Sequence, residues 1–437
     1  MIALTFTLLV LTILSFFTNN RKFIAPSFLY SISFLFASFF ALLNEKAWML
    51  YLSGTTFWII VLSVFEFIIV GLLVKWIIQL IRNSKIKSTN NIVTVFSFNK
   101  GKRYFITIEV IQLLCIIISA LMIMKVTGQF NLASAVNTLN YSNNGFSNMS
   151  INLPTYVNLM LNFNQYMGII GEYLFAESLI LKKKFNVFLF IEIFLALGSS
   201  LLTGTRGGVL MSLVSIIVFL FLFLYKDKKY NALKIGKYTL IVVVVIIGVL
   251  FLLQWSATLV GRNVESFKGF EYVSIYVGAE IKNLDVFVTT NTFPIHGQIW
   301  GEQTFYSIIN FAIKHLGLKL PDYNLTLPFQ YINGISLGNV YTTLYPWLYD
   351  FGYAGVGILT ALMATISQIF YSFSEKNNQS VVPIGQLFYG GIIAPAIVFS
   401  FFSNKFYESF DIISLIIAVI IWCLFNMIFK ECTRRLS

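Results

Sequence analysis

The stretch "SLLTGTRGGVLMSL", from Ser200 to Leu213, places one arginine, Arg206, between two strongly apolar runs of the sequence. The run before it covers about residues 185–202 and the run after it about residues 207–225. Each has close to the ~20 apolar residues that a helix needs to cross the hydrocarbon core of a bilayer. The pattern predicts two membrane-spanning helices joined by a tight turn at a membrane surface.

The same pattern recurs along the whole chain. Of its 437 residues, 57% are hydrophobic and only 11% are charged, more apolar surface than a soluble domain buries. An outer-membrane barrel would show short alternating segments instead. We therefore predict an all-α, polytopic integral membrane protein, a single transmembrane domain over residues 1–437 with about 11 (10–12) transmembrane helices. The expected spans are roughly 1–18, 24–43, 55–81, 104–124, 155–181, 185–202, 207–225, 238–258, 348–373, 381–402 and 411–429.

The net charge of +12 reflects membrane orientation rather than nucleic-acid binding. If the turn at residues 19–22 is cytoplasmic, twenty of the 30 Lys and Arg fall in cytoplasmic segments, together with only three acids. Positive loops face the cytoplasm, so the amino terminus is predicted outside and the carboxyl terminus inside. The basic segments predict contact with anionic membrane lipids and no nucleic-acid partner.

The longest predicted loop, about residues 259–347, lies on the outer side and holds both histidines, His296 and His315. Loops of this length are usually functional. Neither histidine has the spacing of a metal site, and the outer loops lack a D-x-D pair, so no metal is expected. The chain also has neither a P-loop nor a G-x-G-x-x-G motif, which disfavours nucleotide enzymes.

Arg206 falls on the outer side in this topology, where the charge rule does not explain it. Gly207 would let another molecule approach the backbone, and Thr203 or Thr205 could cap the helix that follows. A guanidinium beside a helix amino terminus suits a phosphate or pyrophosphate. The alternative is a structural arginine at the interface.

A second motif, "GNVYTTLYPWLYDFGYAGVG" at residues 338–357, leads into the next predicted span. Tyrosine and tryptophan are expected at a membrane interface, but an acid, Asp350, is not. Aromatic rings beside a carboxylate also suit a sugar, which stacks on rings and needs hydrogen-bond partners. Interface anchoring and sugar binding both remain open for this motif.

Acidic side chains within the predicted spans are costly unless they are paired or face a polar cavity. Such residues could form a proton or ion path, which keeps a transporter reading open. They are Glu66, Glu109, Glu172, Glu177 and Glu192, with Lys75 as an intramembrane base.

Three segments together resemble the Wzy-type O-antigen polymerases, the oligosaccharide repeat unit polymerases of Gram-negative inner membranes. They are "TGTRGG" opening a span, "GEQTFYSIINF" in the long outer loop and "GNVYTTLYPWLYDFGYAG" before the next span. The family's Asn-x-Tyr-Thr and Asp-Phe-Gly elements match Asn339, Tyr341 and Asp350. Where many members have Pro-Arg in the loop, this chain has Ile313 and Lys314.

The resemblance implies a GT-C-like fold, with the periplasmic loop at 259–347, in the bacterial cell inner membrane. It implies a glycosyltransferase that needs neither metal nor cofactor and joins repeat units carried on undecaprenyl pyrophosphate, with a chain-length regulator as partner. The expected residue roles are catalytic for Asp350 and His296, pyrophosphate-binding for Arg206, Gly207, Arg262 and Lys314, and glycan-binding for Asn339, Tyr341, Tyr345 and Trp347.

Two other functions remain open at this stage. An O-antigen ligase has a similar architecture and relies on a histidine in its large loop. A lipid-linked oligosaccharide flippase or another transporter would share the span count and the intramembrane acids, but inverted repeats are expected more often in that class. The Asn339 to Gly352 segment favours the polymerase over the ligase.

Overall fold

The computed structural model describes residues 1–83, 94–143, 151–204, 206–227, 232–259, 271–295, 297, 299–320, 327–375 and 380–435. These residues are almost entirely helical, and their four short strands form two two-stranded sheets. The helices are α1 Ile2–Thr18, α2 Pro26–Leu43, α3 Gly54–Asn83, α4 Phe98–Thr127, α5 Leu132–Asn143, α6 Thr155–Ile180, α7 Val187–Leu201, α8 Gly207–Lys226, α9 Ala232–Leu259, α10 Glu271–Thr290, α11 Tyr306–Leu316, α12 Leu344–Ser374, α13 Ile384–Phe388, α14 Ala394–Val398, α15 Lys405–Glu408 and α16 Ile412–Ile428. A π-helical turn, Tyr389–Ile393, joins α13 to α14, and the strands are β1 Thr94–Phe96, β2 Gln330–Ile332, β3 Ile335–Gly338 and β4 Thr433–Arg435.

Every apolar run that the sequence predicts as a span is helical in the structure. Six helical segments of the described chain are long and apolar enough to cross a membrane: Pro26–Leu43, Gly54–Ile81, Gly101–Thr127, Gly207–Lys226, Leu344–Ser374 and Ile384–Phe401. Shorter apolar helices cover Ile2–Thr18, Val187–Leu201, Ile235–Gly248 and Ile412–Ile428. The chain is therefore a helical membrane protein.

Its Cα positions divide into two compact units, each made of separate stretches of sequence. Unit 1 comprises Met1–Ile86, Thr239–Ser372 and Ala396–Ile412. Unit 2 comprises Lys87–Tyr238, Phe373–Pro395 and Ile413–Ser437.

In unit 1, α1 and α2 form an antiparallel pair joined by buried hydroxyls, with Ser15 Oγ and Ser31 Oγ 3.0 Å apart. The ring of Tyr30 on α2 stacks on Phe67 of α3 at a centroid distance of 4.4 Å. These polar and aromatic contacts hold together helices whose outer faces are apolar, in keeping with membrane helix packing.

The predicted long loop contains a further buried helix of unit 1, α10. Its Gly278 lies so close to α2 that an added Cβ would stand 2.6 Å from the backbone nitrogen of Ala41. Asp285 of α10 accepts a hydrogen bond from the backbone nitrogen of Ser53 at 2.9 Å, just before α3. Much of the segment from residue 271 onward is thus packed structure rather than an extended loop.

The rest of that segment forms α11 and a β2–β3 hairpin. Asn333 and Gly334, with φ of 51° and 78°, make the two-residue turn. Positive φ at both positions is typical of a type I′ hairpin, for which Asn-Gly is the favoured sequence. Asn283 of α10 holds the hairpin by donating to the carbonyl oxygens of Leu337 and Val340, at 3.3 and 2.8 Å.

In unit 2, α6 is the central helix and packs against α4, α7 and α8. Trp422 of α16 donates from Nε1 to the carbonyl oxygen of Tyr166 on α6 at 3.2 Å. Tyr173 of α6 donates to Gln386 Oε1 of α13 at 2.8 Å. Aromatic rings around Phe105 close the end where β1 pairs with β4, and Phe96, Phe425 and Phe429 lie within 6 Å of it.

Candidate functional site

The two motifs of the long predicted loop and the next span meet in unit 1. Residues 301–304 of "GEQTF" form a turn that packs against the beginning of α12, where "LYPWLYDFG" lies. Four kinds of contact hold this turn: a carboxylate, an amide side chain, a break in α12 and a group of aromatic rings. We call this region, the described residues among 295–305 and 339–353 together with Asn404, the loop–helix site.

Asp350 is the first of these contacts and is only 7% exposed. Its Oδ2 accepts a hydrogen bond from the backbone nitrogen of Thr304 at 2.7 Å, and its Oδ1 accepts from that of Gln303 at 3.4 Å. The hydroxyl of Thr304 in turn donates to the carbonyl oxygen of Pro346, one turn earlier on α12, at 3.1 Å. Both carboxylate oxygens of Asp350 are thus used to hold the turn.

Asn404, between α14 and α15, supports the same turn from the other side. Its Nδ2 donates to the carbonyl oxygen of Thr304 at 3.0 Å, while its Oδ1 accepts from Trp347 Nε1 at 3.2 Å and Thr343 Oγ1 at 3.3 Å. One buried amide therefore satisfies three polar groups, which is why a residue distant in sequence is part of the site.

Gly352 interrupts α12 two residues after Asp350. Its φ of 65° and ψ of −155° lie in a region that is essentially restricted to glycine. An added Cβ would stand 3.3 Å from Cδ of Pro294, and the nitrogen of Ile295 donates to the carbonyl oxygen of Tyr349 at 2.9 Å. Because of the break, the Tyr349 carbonyl oxygen accepts a hydrogen bond from Ile295, in the loop that leads into the 301–304 turn.

Glu302 is a second carboxylate at this site, and the sequence analysis did not assign it a role. It is 7% exposed and accepts from the nitrogen of Ile299 at 3.3 Å through Oε2. The half-buried Tyr349 lies near enough for the Glu302 carboxylate to act on its hydroxyl, and Gly297 leaves room for Oε1. The sequence feature that pointed to Glu302 was its position inside the "GEQTF" motif.

The aromatic residues of the site are mostly interior. Tyr341, Tyr345 and Trp347 are no more than 4% exposed, and Tyr341 packs on Tyr345 at a centroid distance of 4.6 Å. The Tyr341 hydroxyl donates to the Pro328 carbonyl oxygen and accepts from Gln330 Nε2, each at 3.0 Å. Burial raises the pKa of Tyr341, and the Gln330 hydrogen bond partly opposes this.

The exposed aromatic surface of the site belongs to Trp300 instead. Its side chain is 79% exposed, and its ring meets Phe351 edge-on at a centroid distance of 4.9 Å. Gly301, with φ of 74°, follows it and brings the chain close to Phe351. Trp300 therefore presents a fixed aromatic face beside the 301–304 turn, a feature that the sequence analysis missed.

Arg206 and Gly207 lie in unit 2, where Arg206 is half-buried and forms the cap of α8. The Arg206 side chain makes no capping hydrogen bond, and the Thr203 hydroxyl donates to the Ser200 carbonyl oxygen at 2.8 Å. Thr205 lies outside the described residues. A Cβ added at Gly207 would meet nothing within 4 Å, whereas one at Gly208 would collide with Ser200.

The remaining predicted residues are more scattered. Lys314 and His315 are exposed in the last turn of α11, and His315 packs on Phe311 at a centroid distance of 5.2 Å. Asn339 is half-buried just after β3, whereas Arg262 and His296 lie outside the described residues. Within the described part of the chain, no group of three or more His, Cys, Asp or Glu could hold a metal ion.

No family model matches the chain, and no curated protein or solved structure matches it significantly.

Proposed function

We propose that this protein is a glycosyltransferase of the O-antigen polymerase kind, with about 11 spans and a GT-C-like fold in the inner membrane of a bacterium. It joins oligosaccharide repeat units carried on undecaprenyl pyrophosphate at the outer face. The observation that carries the proposal is the contact between two of the segments on which the resemblance rests: Asp350 of the Asp-Phe-Gly element binds the backbone of Gln303 and Thr304.

In this reaction a hydroxyl of the acceptor glycan attacks the anomeric carbon of the donor glycan. The new glycosidic bond forms as the bond from that carbon to the pyrophosphate oxygen breaks, and the hydroxyl proton must go to a base. Glu302 suits this role, because its carboxylate is held beside Tyr349 and does not bind the turn of Gln303 and Thr304. Asp350 serves as a positioning residue, since both of its oxygens accept backbone hydrogen bonds.

The expected pyrophosphate ligands have weaker support. Arg206 stands at the α8 amino terminus without capping it through its own side chain, and a Cβ at Gly207 would meet no described atom within 4 Å, so an anion could approach both. Arg262 stays a prediction, and Lys314 is exposed in the last turn of α11, where the helix dipole alone would favour a cation. For glycan binding, Trp300 offers an exposed ring, whereas Trp347 is buried.

Deletion of the gene in its own strain tests the proposal through the lipopolysaccharide profile on a gel. We expect lipopolysaccharide whose core carries a single oligosaccharide repeat unit (O-unit), because transport and ligation of one unit would continue. Bare core with accumulated polymer would instead identify a ligase, and loss of every surface O-unit would identify a flippase. Either pattern contradicts the polymerase.

Complementation of the same strain then tests the residues. We expect Arg206→Ala to insert at normal levels and yield no long chains, and Arg206→Lys to restore them only in part, because lysine cannot make a bidentate contact with phosphate. Full chain length with Arg206→Lys would argue against that contact.

A further inference from the structure

Three acidic side chains on the helices of unit 2 take no part in the proposed reaction; two are fully buried and one, Glu109, is half-buried. They are Glu109 on α4, Glu172 on α6 and Glu192 on α7. Glu172 is 2% exposed and Glu192 is 0% exposed. We call them the carboxyl cluster.

The helices bring these carboxyls within electrostatic range of one another. The charged groups whose fields act on Glu192 are Glu109 and Glu172. Gly171 of α6 leaves the space for Glu192, since a Cβ at that glycine would stand 3.1 Å from the Glu192 carboxyl carbon. From α8, Ser212 donates a hydrogen bond to Glu172 Oε1, and Ser215 lies on the same side.

Much of the hydrogen-bonding capacity of the cluster is unused among the described residues. Both oxygens of Glu192, Oε2 of Glu172 and Oε1 of Glu109 are buried and have no hydrogen-bond partner there. One turn from Glu109 on α4, the side chain of Gln112 is 0% exposed, and its amide nitrogen and oxygen also have no partner. The half-buried Glu109 and three fully buried side chains, those of Gln112, Glu172 and Glu192, thus keep polar atoms without a hydrogen-bond partner among the described residues.

Glu177 shows how the same unit treats a buried acid that is compensated. It lies five residues after Glu172 on α6 and is also 2% exposed. Lys182 Nζ stands 2.7 Å from its Oε2, and the nitrogen of Phe96 donates to the same carboxylate at 3.1 Å. The positive charge of Lys226 also acts on the Glu177 carboxylate. The carboxyl cluster has no such cation acting on Glu192 among the described residues.

Three ionised carboxylates in an apolar interior would repel one another and would each lose their hydration, which disfavours the ionised form. Neutralisation by a proton removes both penalties and turns an unpaired acceptor into a donor for its neighbour. A divalent metal fits poorly, since no described group of three acids has metal-ligand geometry. We propose that Glu109, Glu172 and Glu192 form a proton-binding cluster in unit 2, in which Glu192 holds a proton at neutral pH.

This site is independent of the proposed glycosyl transfer and stands whether or not that reaction is correct. Protons bound by the cluster remove the like-charge repulsion of Glu192 with Glu109 and Glu172. Loss of those protons at alkaline pH restores like-charge repulsion between α4, α6 and α7. Unit 2 should therefore loosen as the pH rises.

Infrared spectroscopy of the full-length protein in lipid nanodiscs tests the proposal. The difference between wild type and Glu192→Gln should contain the carbonyl band of a protonated carboxylic acid at neutral pH, and this band should disappear on alkaline titration. The matched control, wild type minus Glu177→Gln, should lack that band, because Lys182 compensates the Glu177 carboxylate. Absence of the band in the Glu192 difference overturns the proposal.

Two further arms keep the test decisive. Replacement of KCl by NaCl should leave the band unchanged, and its loss in Na⁺ alone would mean a sodium site and overturn the proton site. If Glu192→Gln does not fold, the difference between wild type at neutral and at alkaline pH reports the same band, and Glu172→Gln should retain the band at neutral pH because Glu192 is unchanged. The thermal stability of wild type should also fall with rising pH, because the folded cluster holds protons that the unfolded chain has released, and Glu192→Gln should flatten that fall. Equal slopes would contradict the cluster.

Discussion

At the residue scale, the two carboxylates of the loop–helix site differ in what their oxygens bind. Asp350 accepts two backbone hydrogen bonds from the 301–304 turn, whereas Glu302 binds one backbone nitrogen and faces Tyr349. A residue engaged with backbone on both oxygens is suited to holding geometry, and one beside a hydroxyl is suited to proton transfer. This difference yields opposite expectations for their variants.

We expect Asp350→Ala to lower the free energy of unfolding by about 1–3 kcal/mol, because it leaves the buried nitrogen of Thr304 without its acceptor. Glu302→Gln keeps the size of the buried side chain and an oxygen that can accept from Ile299, so it should destabilise the protein less than Asp350→Ala does, and it should abolish polymer formation. Thermal melting of the purified proteins and lipopolysaccharide gels of complemented strains measure the two effects. A stable, inactive Asp350→Asn variant together with an active Glu302→Gln variant would return the catalytic role to Asp350.

At the scale of the element, α12 shows how a long apolar helix can carry a built-in break. The sequence predicts a span over about residues 348–373, and the structure begins the helix at Leu344 and interrupts it at Gly352. The glycine was visible in the sequence as part of the Asp-Phe-Gly element. Its φ of 65° depends on the loop at Pro294 and Ile295, which no local pattern specifies.

We expect Gly352→Ala to destabilise unit 1 by about 1–3 kcal/mol, since a side chain must then adopt a conformation restricted to glycine. Gly54→Ala is the matched control, because an added Cβ there meets nothing within 4 Å and the backbone has no positive φ. Thermal melting of both variants in the same detergent decides the point. Equal melting temperatures would mean that the break at Gly352 is not needed.

The helix α10 shows why the sequence could not predict every buried element. Its residues include Glu280, Lys282, Asn283 and Asp285, which lower its hydropathy and place it inside a predicted loop. In the structure Asn283 donates a hydrogen bond just after the hairpin and Asp285 accepts one from the backbone just before α3. These hydrogen bonds offset the cost of burying the two polar side chains. Such compensation depends on residues far apart in the chain and leaves no local periodicity.

At the scale of the whole molecule, the distribution of basic residues predicts how the chain sits in the membrane. The Lys182–Lys184 turn should face the cytoplasm, whereas Trp300 should face the outside. Single cysteines placed at Lys183 and Trp300 in a background without the three native cysteines test this with a membrane-impermeant thiol reagent.

We expect labelling at position 300 in intact spheroplasts and at position 183 only after the membrane is opened. Trp300 is 79% exposed and Lys183 is exposed, so each site is accessible in the folded protein. Labelling of Lys183→Cys in intact spheroplasts would reverse the topology and remove the loop–helix site from the outer face.

The sequence by itself determined that this chain is a helical membrane protein, because apolar runs of span length are a local property that survives any tertiary arrangement. It also contained the motifs around Arg206, Glu302 and Asp350. Only the tertiary structure decided that the Asp350 carboxylate holds the Gln303–Thr304 turn, and that Glu109 and Glu172 act on Glu192 with no cation beside it among the described residues. The physical reason is that the partners of a buried charge are chosen by packing between distant segments, and hydropathy records the cost of burying that charge but not what offsets it.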